Sequence, residues 1–120
     1  MVKIKSVEWG KIKVNGRDYG QVLIIGDRVM ERDEERLHQL FDTTHEIGDW
    51  EVEQLFSGEP EVILLGSGFN GVLRVSEDLR TESEKLGIEL KILKTPGAVE
   101  EFNRLVKEGK RVNALIHTTC

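Results

Sequence analysis

The chain has 120 residues, 22 acidic side chains against 17 basic ones and a net charge of -5. That balance argues against nonspecific binding to DNA, RNA or an anionic membrane, each of which needs a basic face. No stretch approaches the ~20 apolar residues of a membrane span, and a lone cysteine, Cys120, excludes an internal disulfide and fits a reducing cytoplasm.

The length fits one domain over residues 1–120 with a core large enough to need no metal or disulfide. The opening MVKIKSVEWG carries basic residues but no apolar run or cleavage site, so it does not read as a signal peptide. Abundant Glu, Lys and Val with scarce Ala, Gln and Cys lean towards a heat-adapted source.

Residues 1–32 read as β structure. Ile4, Val7 and Trp9 lead into Lys11-Ile12-Lys13-Val14, which alternates cleanly. Asn15-Gly16 then signals a type I′ hairpin, because both central positions need positive φ. Tyr19–Ile25 reads as the next strand, and Arg28–Arg32 follows after a turn at Gly26-Asp27. Between 33 and 48, Leu37, Leu40 and Phe41 fit one short helix, with loop-like flanks. His38 is expected in solvent, and the acidic clusters Asp33–Glu35 and Glu51/Glu53 read as solvated faces. Trp9 and Trp50 read as core or edge-packing residues rather than platforms for bases.

From Asp49 the pattern is regular. Asp49 is the expected N-cap of a helix presenting Val52, Leu55 and Phe56, and Gly58 its stop. Val62–Leu65 is a short unbroken apolar run, suited to a strand buried on both faces. Ser76 caps a helix running to Gly87, and Ile88–Leu93 alternates as a strand. Thr95-Pro96 reads as an N-cap followed by proline. The last helix carries Val99, Phe102, Leu105 and Val106, and Val112–Ile116 is the final strand. The second half is therefore β-α-β-α-β. Right-handed crossovers place 62–65 between 88–93 and 112–116, all parallel, with the helices on opposite faces. The N-terminal β-hairpins are expected to extend this sheet or pack on it.

Two stretches carry groups able to do chemistry. Gly66, Gly68 and Gly71 space the sequence GSGFNG as GxGxxG directly after a strand, and His117 and Cys120 close the chain. Parallel neighbours would bring both to one sheet edge, where open α/β sheets hold ligands. The glycine spacing fits a tight turn needing positive φ. It also fits an anion or small-ligand cradle including Ser67, and less well a dinucleotide loop. The following helix starts late, at Ser76, and Lys94-Thr95 stands where a ribose-binding acid belongs.

A His117–Cys120 thiolate pair lacks an orienting group, and a terminal carboxylate would make Cys120 a poor nucleophile. His45, His117 and Cys120 contain zinc-type donors but lack ligand spacing, so no metal and no cofactor is expected. Asn103 borders the apolar stripe of the last helix and must find partners if buried.

The pattern formed by Trp9-Gly10, Thr44-His45, Gly66–Gly71, Phe102-Asn103, Gly109–Val112 and His117–Cys120 resembles the Mth-domain family of uncharacterised proteins. Its animal members include a protein named for association with adipogenesis, and a distant mitochondrial relative helps assemble respiratory complex I. The resemblance implies a three-layer α/β fold with a mixed central sheet, a C-terminal β-α-β-α-β unit and N-terminal β-hairpins. It supplies no catalytic residues, so these are unknown. The expected role is a cytoplasmic, non-enzymatic interaction or assembly module with a protein partner. The alternative is a small-ligand or anion-binding protein, enzymatic or not. It would use His45, Gly66, Ser67, Gly68, Gly71, Asn103, His117 and Cys120.

Overall fold

The computed structural model describes residues 1–120. Five strands come first: β1 (Ile4–Glu8), β2 (Lys11–Val14), β3 (Arg17–Tyr19), β4 (Val22–Ile25) and β5 (Arg28–Glu31). Two short helices follow, α1 (Glu34–Phe41) and α2 (Asp49–Leu55). The remainder is β6 (Val62–Ser67), α3 (Glu77–Lys85), β7 (Glu89–Leu93), α4 (Thr95–Lys107) and β8 (Val112–His117). None of the helices is long and apolar enough to cross a membrane.

The β1–β3 strands form an antiparallel sheet, and the other five a mixed sheet in the order β5-β4-β8-β6-β7. Strand β6 lies between β7 and β8, parallel to both, as its unbroken apolar run predicts. The free edge of β8 takes β4 antiparallel, which makes β8 the middle strand and the sheet mixed. The Asn15-Gly16 turn has φ of 50° and 79°, as a type I′ hairpin requires.

Side chains alternate across the mixed sheet and build two cores. Val62, Leu64, Val112, Ala114 and Ile116 face α4 and the three-stranded sheet, around a fully buried Phe102. Ile63, Leu65 and Leu115 face the other way, towards Leu55 of α2 and Leu79 of α3. Sheet, helices and small sheet are thus three layers, with α3 and α4 on opposite faces.

Four local expectations need correction. Tyr19–Ile25 is not one strand. The chain breaks at Gly20-Gln21, whose amides both donate to the Glu31 carboxylate at 3.0 and 2.8 Å, so β3 and β4 enter different sheets. Gly48, not Asp49, caps α2; its N–H donates to Glu51 Oε1 at 3.0 Å. Thr95 is already inside α4, because its hydroxyl is engaged elsewhere, and Lys94 is the cap. Glu51 is not solvated but fully buried against Arg32. Of the two readings for Trp9, edge packing holds rather than core: it is 57% exposed and lies against Phe69.

Three other local readings hold. Ser76 caps α3, accepting from the Leu79 N–H at 3.2 Å. The 33–48 segment contains one short helix, capped by Asp33, with Leu37 buried. Trp50 is half-buried, with the Arg36 guanidinium 4.0 Å above its ring.

Candidate functional site

The parallel register pairs Ser67 with His117, so the glycine loop and the end of β8 share one sheet edge. Gly68 has φ +100°, and a Cβ there would lie 2.3 Å from the Cys120 carbonyl carbon and 2.9 Å from His117 Cδ2. The position therefore demands glycine twice, for its dihedral and for close approach. Gly71 is also left-handed, at +73°, but its nearest neighbour is the Lys94 side chain at 3.6 Å.

The loop amides have their acceptors within the chain. Gly68 N–H donates to Thr95 Oγ1 at 2.9 Å, and that hydroxyl donates in turn to the His117 carbonyl. Phe69 donates to the Thr119 carbonyl at 2.8 Å, while Asn70 and Val72 donate to the Cys120 backbone oxygen at 2.7 and 3.3 Å. Gly71 closes the turn on the Gly68 carbonyl at 3.3 Å. The segment after β8 is thereby laced to the loop.

Beneath this edge runs a buried polar chain. Arg32 donates to both oxygens of Glu51 at 2.8 Å, with both side chains essentially inaccessible. It also donates to Gln21 Oε1 at 2.8 Å and to the carbonyls of Thr44 and Glu46 at 3.2 and 2.9 Å. Arginine can only donate, so the atom it meets on Gln21 is the acceptor oxygen. That oxygen lies 2.8 Å from His117 Nδ1, which must therefore carry the proton. Nε2 is left as an acceptor and receives the Thr119 hydroxyl at 3.2 Å. Burial, then the Arg32 charge, then His45, push the His117 imidazole from 6.5 down to about 4.

The residues singled out in the sequence fall into two groups. Gly66, Ser67, Gly68, Gly71, His117 and Cys120 meet at the edge. His45 joins them, its ring edge-on to His117 with centroids 5.2 Å apart. Its carbonyl accepts from the Arg74 N–H at 2.7 Å. Ser67 Oγ donates to the Leu93 carbonyl at 3.1 Å. Asn103 stands apart, eight residues or ~12 Å along α4 from Thr95. Its amide pairs with both backbone groups of Ile4, at 2.9 and 2.7 Å, and docks β1 on the helix. His45, His117 and Cys120 do not form a group that could hold a metal ion, alone or with other His, Cys, Asp or Glu side chains.

Sequence reasoning missed Gln21, Arg32, Glu51, Thr95 and Thr119. One signal was available: Arg32 continues the inward alternation of β5 after Met30, so it falls on the core side.

Thr119, His117 and Gln21 are connected in the order nucleophile, base and orienter. Their chemistry is nonetheless poor for acyl transfer. An imidazole titrating near 4 is a weak base at neutral pH. The neighbouring loop N–H groups, which would stabilise an oxyanion, already hold acceptors.

The outward side of the edge is aromatic. Gly10 N–H donates to the Thr118 carbonyl at 2.9 Å and brings the β1–β2 turn against the loop. Trp9 stacks there on Phe69, with centroids 5.9 Å apart and planes at 29°. Val72, 40% exposed, belongs to the same loop segment.

Residues 4–117 match the family described as "Protein of unknown function (DUF498/DUF598)". A conserved hypothetical protein of Pyrococcus horikoshii is 27% identical, with a TM-score of 0.82 over 98% of this chain and 99% of that one. The protein named MT938 is 26% identical, with a TM-score of 0.76 over the whole of both chains. A Mth938-like domain from Bordetella pertussis shares the fold at 18% identity, with a TM-score of 0.60 over 98% of this chain and 87% of that one. The Mth-domain resemblance drawn from the motifs therefore holds.

Proposed function

This chain belongs to the DUF498/DUF598 family of proteins of unknown function, and from that premise we propose that it is a non-enzymatic protein-interaction or assembly module of the cytoplasm. The observation that carries the reading is the Trp9–Phe69 stack, with Trp9 57% exposed beside a loop whose amides are internally bonded. An exposed tryptophan leaves apolar ring surface in water that a partner can bury. Interface hot spots are enriched in tryptophan because a rigid ring buries much area with little entropy loss. The hydrogen bonds beneath it hold the stack on a stiff support.

Ligand chemistry at the glycine loop is the weaker reading, because the N–H groups an anion needs are occupied. The lone cysteine supports a reducing compartment. The test is affinity capture with the intact chain and with Trp9→Ala/Phe69→Ala, after matched amide spectra show both folded. A partner held by the intact chain and lost by the variant supports the module. Partners retained equally by both, or turnover lost in His117→Gln, argue against it.

A further inference from the structure

At the other end of α4, ~18 Å along the helix from Thr95, the segment Met1–Lys3 lies against Val106 and Lys107. Two open chambers of about 400 and 680 Å³ meet here, sharing Met1, Val2 and Val106. Volumes of this size suit small molecules. The apolar surface here is Met1, 86% exposed, and the half-buried Val106, both resting above the core residue Val2. Asn103 forms part of the wall, and its locked amide makes that wall rigid.

The rim is basic. Lys3, Lys107 and Lys110 are exposed, and none forms an ion pair. Asp27 is the sole carboxylate side chain lining either chamber. In a protein of net charge -5 this is a local reversal of sign. The dipole of α4 accounts for Lys107 in its last turn. It does not account for Lys3, which arrives from a different part of the chain. Unpaired like charges around one trough repel each other and create a positive potential that an anion relieves.

We infer that this groove binds a small amphipathic anion, a carboxylate head on an apolar tail. The tail covers Met1 and Val106, and the head meets Lys3, Lys107 and Lys110. Chambers of this volume have room for one small molecule, which favours this occupant over a flat protein surface.

Decanoate and its neutral counterpart decanol are the probes, each titrated into the full chain and followed by amide NMR. Decanoate should shift Val2, Lys3, Val106 and Lys107 and bind at least about tenfold more tightly than decanol. Added salt should weaken it. Lys107→Glu/Lys110→Glu should reduce decanoate affinity by about tenfold or more while leaving the remaining spectrum in place, since both side chains are exposed and unpaired. Lys3→Glu, on another element, should weaken it in the same direction. Equal binding of decanol, shifts centred on Trp9 and Phe69, an undiminished affinity in the charge-reversed variants, or no shifts at all would overturn the assignment.

Discussion

His117 donates from Nδ1 to Gln21 Oε1 at 2.8 Å, across 96 positions of sequence. Because Arg32 fixes which end of the Gln21 amide is oxygen, the bond also fixes the tautomer of the histidine. A buried ion pair, a glutamine, an imidazole and a hydroxyl thus form one directed chain from Glu51 to Thr119. The central sheet is thereby tied at the carboxyl end of β8, its middle strand.

That chain has a pH signature. The His117 imidazole is held from 6.5 down to about 4, so the folded state favours the neutral ring. The unfolded chain takes up the proton first as pH falls. The stability this group contributes is therefore full above pH 6.5 and is lost progressively as pH drops towards about 4. Proton NMR of the ring should give a midpoint near 4, and urea midpoints of His117→Gln should lose part of the slope in that window. A ring midpoint near 6.5 would remove the argument.

The Arg32–Glu51 pair should behave as a buried bridge. Removing one partner strands a charge, so Glu51→Ala should cost about 3–5 kcal/mol. Replacing both by apolar residues of similar volume, Arg32→Met with Glu51→Leu, should recover most of that loss. Gln21 and the Thr44 and Glu46 carbonyls would then lose their donor, which limits the recovery. A double-mutant cycle in urea measures both terms. A single-mutant cost below about 1 kcal/mol would place the pair among exposed bridges.

The glycines of the loop should rank unequally. Gly68→Ala combines a φ of +100° with contacts of 2.3 and 2.5 Å to Cys120 backbone, which cannot move without breaking the bonds from Asn70 and Val72. Gly71→Ala meets a similar dihedral but only a flexible lysine at 3.6 Å. The Gly71 variant should lose about 1 kcal/mol, and the Gly68 variant clearly more, with increased hydrogen exchange at Phe69 and Asn70. Equal losses would mean that the dihedral alone sets the requirement.

The parts of this fold legible in the sequence are those where one residue pattern has one physical solution. The unbroken Val62–Leu65 run demanded a strand covered on both faces, and β6 lies between two parallel neighbours. The glycine spacing demanded left-handed backbone, found at Gly68 and Gly71. The split at Gly20-Gln21 was hidden because Tyr19–Ile25 has continuous β propensity, and its cause is the Glu31 carboxylate ten residues later. Arg32 and Glu51 were hidden for a related reason. Charged residues are surface residues by default, and each needs the other, 19 positions away, to be buried. Thr95 looked like a helix cap because its neighbour is proline. Only the tertiary position of His117 shows that its hydroxyl is claimed elsewhere.

The glycine loop itself supplies the last prediction. An anion cradle works through N–H groups that point at the ligand, aided by a nearby helix N-terminus. Here Gly68, Phe69, Asn70, Gly71 and Val72 direct theirs to Thr95 Oγ1 and to backbone oxygens of Gly68, Thr119 and Cys120. Helix α3 begins only at Glu77 and is led by two acidic residues, which disfavour an anion there. Binding phosphate would require breaking bonds of 2.7 to 2.9 Å that tie the segment after β8 to the loop. Millimolar phosphate or sulfate should therefore leave the amide signals of Gly66–Gly71 in place, at low as well as high salt. The Trp9 indole signal should respond instead to a captured partner. Saturable shifts confined to the loop, weakening as salt rises, would show that those bonds open readily and would return the loop to the ligand-binding reading.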